Sequence, residues 1–301
     1  MANGLLEHPK QNQEWEDVGK RYLNELLSRC LIQMEKDFWL YFTFKMHDLV
    51  HDLALDVSQK ECKTVNSETE TIDENVRHLL LCDEKLVGVP RVLEEMKNVR
   101  TVIIQDASKE SKTTHESLIN LCLSNFKYLR ALELRKSPLT ALPNSIGTLK
   151  HLRDLDLGGC RSLRELPRSF DKLRSLQSLY LGYTECLPEG MQYLKSLRTL
   201  VLGGCVKLVS LSRSLKFLTK LEHLYINICS SMNLKMEPEE EEDKDLQLSL
   251  KTLSLVGLLA LRDLPRLLLQ GSSSTLQQLR ITGCPDLSVL PAWQPNLTSL
   301  H

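Results

Sequence analysis

His47 and His51 stand four residues apart, each followed by an aspartate, Asp48 and Asp52. On a helix that spacing puts two imidazoles on one face, the arrangement of H-E-x-x-H zinc hydrolases, in which the intervening glutamate is the general base. Here Asp48 fills that slot with one methylene less, and no spacing supplies a third ligand. The competing reading is the polar start of an amphipathic helix, and it is preferred; no metal and no catalytic residue are expected. The same residues suit phosphate better, because a helix N-terminus points backbone N–H groups and a favourable dipole at an anion. A phosphate-binding loop of the Gly-x4-Gly-Lys-[Ser/Thr] type is absent from the sequence, however, and Gly19-Lys20 is followed by Arg21. Lys20, Arg21 and Arg29 face Asp17 and Glu25 along one helical stretch. That is a solvated face and not the basic stripe of a nucleic-acid reader. The whole chain agrees, since 38 Lys+Arg stand against 39 Asp+Glu. Nucleic acid is therefore not expected as a partner.

The remaining candidate chemistry is sulfur. Nine cysteines are scattered along 301 residues with no C-x-x-C, and their number is odd. Reduced thiols in a cytoplasmic chain are expected. The N-terminus lacks a basic stretch followed by a long apolar run, so no signal peptide is read there. The longest apolar runs, such as Leu255–Leu261, are too short to span a membrane.

Four of those cysteines fall at one position of a repeat. L-x-x-L-x-L recurs at Leu129/Leu132/Leu134, Leu152/Leu155/Leu157, Leu176/Leu179/Leu181, Leu197/Leu200/Leu202, Leu221/Leu224/Ile226, Leu250/Leu253/Leu255 and Leu276/Leu279/Ile281. Weaker units precede them at Val76/Leu79/Leu81 and Val99/Val102/Ile104, and Leu297/Leu300 begins another. Successive first leucines of the strong units are 23, 24, 21, 24, 29 and 26 residues apart, within the leucine-rich-repeat period. In each unit the alternation of the last two leucines with polar residues predicts a short strand with one buried face. Such a face is covered only when repeats stack. The ninth position holds Ser137, Cys160, Thr184, Cys205, Cys229 and Cys284, small side chains packed inside the turn after the strand. Leu142-Pro143, Leu166-Pro167 and Leu187-Pro188 mark the way to the convex side. Two long steps predict insertions: an acidic solvated loop at about 236–245, and a polar loop at Ser108–His115 followed by a helix from Glu116 to Phe126.

The first sixty residues follow another pattern. Apolar residues at Val18, Tyr22, Leu23, Leu26, Leu27 and Cys30 predict a helix over Asp17–Cys30. Phe38, Leu40, Phe42, Phe44 and Met46 alternate as a strand, with Glu35-Lys36-Asp37 as the turn of a hairpin. A second helix follows from Asp48, its apolar stripe running through Leu49, Val50, Leu53, Ala54 and Val57. Helix, hairpin, helix is the order at the end of a winged-helix domain. The predicted fold class is α/β: a leucine-rich-repeat solenoid with a parallel-sheet horseshoe over residues 63–301, preceded by part of a winged-helix module over residues 1–62.

The stretch from Trp15 to Gln33, followed by Phe44-Lys-Met-His-Asp-Leu-Val-His-Asp-Leu-Ala54, resembles plant intracellular nucleotide-binding leucine-rich-repeat disease-resistance proteins of the coiled-coil class. Met46-His47-Asp48 matches their Met-His-Asp motif. The resemblance implies an innate immune receptor in plant defence. It gives His47 a contact to the diphosphate of bound ADP, with Asp48 orienting it. The nucleotide core that would complete that site lies before this point in the family, so the chain reads as a receptor fragment. ADP or ATP with Mg belongs to the full-length family, and no cofactor is expected for this chain alone. The implied partner is a protein: a pathogen effector, a guarded host protein, or the receptor's own nucleotide-binding module. The other reading is a generic leucine-rich-repeat scaffold, or an inactive receptor remnant. In either case contact is expected on the concave sheet face. There Glu133, Asp156, Tyr180, Val201, Tyr225, Ser254 and Arg280 form a middle column, with Asp154, His223 and Gln278 beside it.

Overall fold

The computed structural model describes residues 6–7, 10, 15–38, 41–66, 68–81, 90–104, 112–188, 190–211, 213–234, 247–288 and 299–300. Its amino-terminal part is helix α1 (Trp15–Ser28), strands β1 (Ile32–Phe38) and β2 (Tyr41–Met46), and helix α2 (Asp48–Ser58). Helix α1 ends in a left-handed residue, Cys30 at φ 56°. The Leu31 amide donates to the Leu26 carbonyl and the Cys30 amide to the Leu27 carbonyl, both at 3.0 Å. These two bonds satisfy carbonyls that a helix end leaves orphaned.

The hairpin differs from the expected one. Strand β1 runs through Glu35-Lys36-Asp37, and pairing continues from Ile32↔Met46 to Phe38↔Tyr41. A register shift between Met34 and Lys36 absorbs Glu35 as an extra residue. The polar triplet thus lies within β1 and marks a bulge there, not the turn of the hairpin. Leu40, expected in the strand, lies outside the described residues. Helix α2 starts where expected, but none of its residues is buried, and Leu49, Leu53 and Val57 are 76%, 63% and 78% exposed.

Among the described residues, the following strands form one parallel sheet of eleven in sequence order. They are β3 (Cys62–Val65), β4 (His78–Leu81), β5 (Thr101–Ile104), β6 (Ala131–Glu133), β7 (Asp154–Leu157), β8 (Ser178–Gly182), β9 (Thr199–Gly203), β10 (His223–Asn227), β11 (Thr252–Val256), β12 (Gln278–Thr282) and β13 (Ser299–Leu300). The middle leucines pair in register from Leu79 through Val102, Leu132, Leu155, Leu179, Leu200, Leu224 and Leu253 to Leu279. All of them are buried. One apolar core extends from Val65 to Leu279 and includes no described residue of α1, β1, β2 or α2. Strand β3 adds a rung that the leucine pattern did not announce.

Tight 3-10 turns line the convex side at Asn144–Thr148, Arg168–Lys172, Met191–Tyr193 and Arg213–Phe217. Pro143 and Pro167 precede the first two, their fixed φ suited to entering a helical turn. Helices α3 (Lys112–Asn125) and α4 (Arg266–Gly271) replace these turns in two repeats. Helix α3 begins before the expected Glu116 and takes in His115, which is buried against the core. The rest of that polar loop at 108–111, and the acidic loop at 236–245, lie outside the described residues.

The ninth-position side chains sit where the repeat places them. Cys160, Cys205 and Cys229 are fully buried. The Cys160 thiol donates to the Leu134 carbonyl of the preceding repeat at 3.1 Å, and Thr184 Oγ1 lies 3.4 Å from Cys205 Sγ. Leu258 holds the corresponding place after β11 and is buried, whereas Cys284 is half-buried.

Candidate concave binding face

The sheet's register brings the nominated residues together. Glu133, Asp156, Tyr180, Val201, Tyr225, Ser254 and Arg280 are paired rung to rung in one column. Asp154, Ser178, Thr199, His223, Thr252 and Gln278 form the column two residues earlier. Alternation along each strand turns both columns away from the leucine core. The two columns therefore share the concave face.

One end of the face is acidic. Glu133, Asp154 and Asp156 line a cleft of about 500 Å³ together with Arg135, Tyr180 and Val201. Asp156 is nearly buried and is held from two sides. Arg135 Nε lies 2.7 Å from its Oδ2, and the Gly158 amide donates to its Oδ1 at 2.7 Å. Arg135 also reaches Glu133 at 3.8 Å. Burial, and then the Asp156 charge, pushes the Asp154 carboxyl up to about 6. Burial and Asp156 raise Glu133 as well. Burial, followed by the Asp154 charge, pushes the Tyr180 phenol up to about 12. Arg135 was missed by the sequence reading. Its place just after the last strand leucine was the available signal.

The other end is aromatic and mixed in charge. The His223 and Tyr225 rings lie 6.4 Å apart at 19° on alternate positions of β10. They line a second cleft of about 510 Å³ with Tyr180, Val201, Lys251 and Gln278. Asp17 and Lys20 of α1 also line it, and Val18 between them is 1% exposed. Helix α1, read from sequence as a solvated face, therefore has its first turn at this cleft. Spacing within a helix carries no information about which distant sheet it meets.

His47 and Asp48 are exposed at the start of α2. His47 makes no side-chain capping bond and neither residue lines the clefts above. His51 Nδ1 lies 3.7 Å from Asp52. Among the described residues no group of three or more His, Cys, Asp or Glu is arranged to hold a metal ion. Nor is any described helix long and apolar enough to cross a membrane.

Residues 75–301 match a family model described as "Leucine-rich repeat region", and residues 1–54 match one described as "Disease resistance protein Winged helix domain". The chain belongs to the leucine-rich-repeat disease-resistance proteins. Among relatives of this family, RGA1 of Solanum bulbocastanum, named for disease resistance, is 36% identical over 160 residues, covering 53% of this chain and 13% of its own length. The Disease resistance RPP13-like protein 4 of Arabidopsis thaliana is 31% identical over 180 residues, covering 57% of this chain and 20% of its own. Disease resistance protein RPM1 of the same plant is 32% identical over 163 residues, covering 50% and 16%. The chain thus spans a fifth or less of each of these relatives. Among solved structures, the leucine-rich-repeat domain of the type III effector XopL superposes with a TM-score of 0.57 at 22% identity, over 98% of both chains. That likeness is one of fold.

Proposed function

We propose that this chain acts by binding a protein across its concave face, without catalysis, as the recognition or restraint portion of a cytoplasmic plant immune receptor. The observation that carries this reading is the register that puts Tyr180 and Tyr225 two rungs apart in one column, either side of Val201, so that with His223 they line one cleft while Tyr180 also lines the acidic one. Tyrosine offers a large amphipathic surface at low entropic cost, and tyrosine and arginine are enriched among residues that dominate interfaces. The acidic end suits a basic side chain of the partner, since three carboxylates line that cleft and one arginine, Arg135, pairs with two of them. The partner is a pathogen effector, a guarded host protein or the receptor's own nucleotide-binding module.

Restraint by the receptor's own module has separate support. Asp17 and Lys20, from the winged-helix side of the chain, already line the aromatic cleft. No nucleotide or Mg is assigned to His47 and Asp48 in this chain taken alone, so binding across the concave face needs neither. The test is titration, without nucleotide, of any protein partner recovered with the chain from healthy or infected leaf tissue. Tyr180→Ala with Tyr225→Ala is expected to weaken the partner at least tenfold, about 1.4 kcal/mol or more. Unchanged affinity, in a variant that melts like the parent, overturns the assignment of the site.

A further inference from the structure

The residue that enters each strand builds a second ladder along the edge of the concave face. The Arg100 and Thr101 amides donate to the Arg77 carbonyl at 2.7 and 3.0 Å. The Arg130 and Ala131 amides do the same to Arg100, at 2.7 and 3.0 Å. Arg153 and Asp154 follow on Arg130, at 2.8 and 3.0 Å. Adjacent rungs of a sheet stand about 4.8 Å apart. Four arginines therefore spring from four consecutive rungs of one row.

Two residues earlier runs a companion row of Asn75, Asn98, Tyr128 and His151. The Tyr128 and His151 rings stack at 5.9 Å and 25°. The two rows enclose a cleft of about 330 Å³ lined by Arg77, Arg100, Arg130, Asn98, Tyr128 and His151, with Asn75 at its margin. That volume is at the small-molecule end of the scale. The arginines act on one another. Arg100 is held below the usual arginine value by burial first, then by Arg130 and Arg77, while Glu61 acts in the opposite sense.

The same row further along shows how the fold treats such charges elsewhere. Its next charged rungs are Arg198, Glu222 and Lys251, joined by the same backbone bonds. There Glu222 stands between two cations and pairs with both, at 2.5 Å to Arg198 and 3.4 Å to Lys251. The row begins at Glu61, whose carbonyl accepts from the Arg77 and His78 amides at 2.8 and 2.9 Å, and from Arg77 to Arg153 its rungs carry no carboxylate. Like charges this close repel, and a ligand of opposite sign spanning several rungs relieves them together.

We propose that the Arg77–Arg100–Arg130 cleft is a binding site for a small soluble anion carrying two or more phosphoryl groups. A guanidinium fork takes a phosphate through two parallel N–H···O bonds, which an ammonium cannot reproduce. One fork per rung gives a linear set of such forks, so an oligophosphate engages neighbours that a single phosphate cannot reach at once. The stacked Tyr128–His151 pair forms the flat wall against which it lies. This site is separate from the concave clefts proposed for the protein partner.

Calorimetry on the whole chain at matched ionic strength tests this, with tripolyphosphate, orthophosphate and sulfate as probes. Tripolyphosphate is expected to bind at one site, at least tenfold tighter than orthophosphate or sulfate. Arg100→Gln and Arg130→Gln are each expected to weaken it at least tenfold, and Arg100→Lys to fall between, since it keeps the charge and loses the fork. Arg164→Gln, at an exposed arginine paired with Glu185, is expected to leave the affinity unchanged. Circular dichroism confirms that each variant is folded before titration. Absence of tripolyphosphate binding, equal affinity for orthophosphate, or an equal loss in Arg164→Gln overturns the proposal.

Discussion

Asp154 shows at the level of one residue how the concave face stores unfavourable charge. Its carboxyl titrates near 6 in the fold because burial and Asp156 oppose its ionisation, against about 3.9 in an unfolded chain. A raised carboxylate pKa means that the native state binds the extra proton between those values. Stability therefore falls as pH rises from about 4 to about 6, and the penalty is fully present at neutral pH. Asp154→Asn is expected to raise the unfolding free energy at pH 7 by an amount on the order of 1 kcal/mol and to flatten the decline between about pH 4 and about pH 6. Urea titrations of parent and variant at pH 4 and pH 7 measure this. A variant that is less stable than the parent at pH 7 contradicts the electrostatic account. A partner that brings a positive charge to the proposed concave site would relieve this cost.

At the scale of elements, the convex turns of adjacent repeats pack closely against one another. A Cβ placed on Gly147 would lie 2.5 Å from the Ser169 carbonyl oxygen and 2.8 Å from its Cβ, in the turn of the next repeat. Backbone oxygen cannot step aside like a flexible side chain, so the two turns would have to separate. Gly147→Ala is expected to cost about 1–3 kcal/mol, as overpacking does in other cores. Thermal unfolding followed by circular dichroism checks it; a neutral substitution would mean that the Asn144–Thr148 turn shifts freely. The hairpin offers the opposite case. Its bulge at Glu35 lies on a two-stranded ribbon, where an extra residue disturbs one partner only. A polar triplet therefore announces a departure from regular pairing without saying whether it is a turn or a bulge.

For the whole molecule, the solenoid has no central core that every element shares. Each strand pairs only with its two neighbours in sequence order, so stability is approximately a sum over adjacent repeats. Leu200 and Leu224 face one another across β9 and β10 and are fully buried. Leu200→Ala or Leu224→Ala is expected to cost about 2–5 kcal/mol. Amide exchange should quicken first in β8 to β11, ahead of α1 and the hairpin. Exchange that quickens uniformly along the chain would argue for a single cooperative unit. The amino-terminal module contributes little to that core, and the exposed stripe of α2 shows an apolar face that the described residues do not cover.

The sequence by itself determined what depends on periodicity. The repeat units, strong and weak, name every strand of the sheet but β3, their register follows because a one-residue slip would turn the leucines outward, and the register sets Tyr180, His223 and Tyr225 in adjoining columns. The Met46-His47-Asp48 motif and the repeats likewise sufficed for the family. What only the tertiary structure decided depends on neighbours far apart in the chain. Arg135 clamping Asp156, Asp17 and Lys20 reaching the aromatic cleft, and α2 standing exposed belong to this class. So does the row of Arg77, Arg100, Arg130 and Arg153. Its members are each one residue ahead of a strand, at 23 to 30 residue intervals, and nothing local marks them. They form one charged edge because stacked repeats convert equal positions in a period into neighbours about 4.8 Å apart, and electrostatic energy depends on that distance and not on separation along the chain.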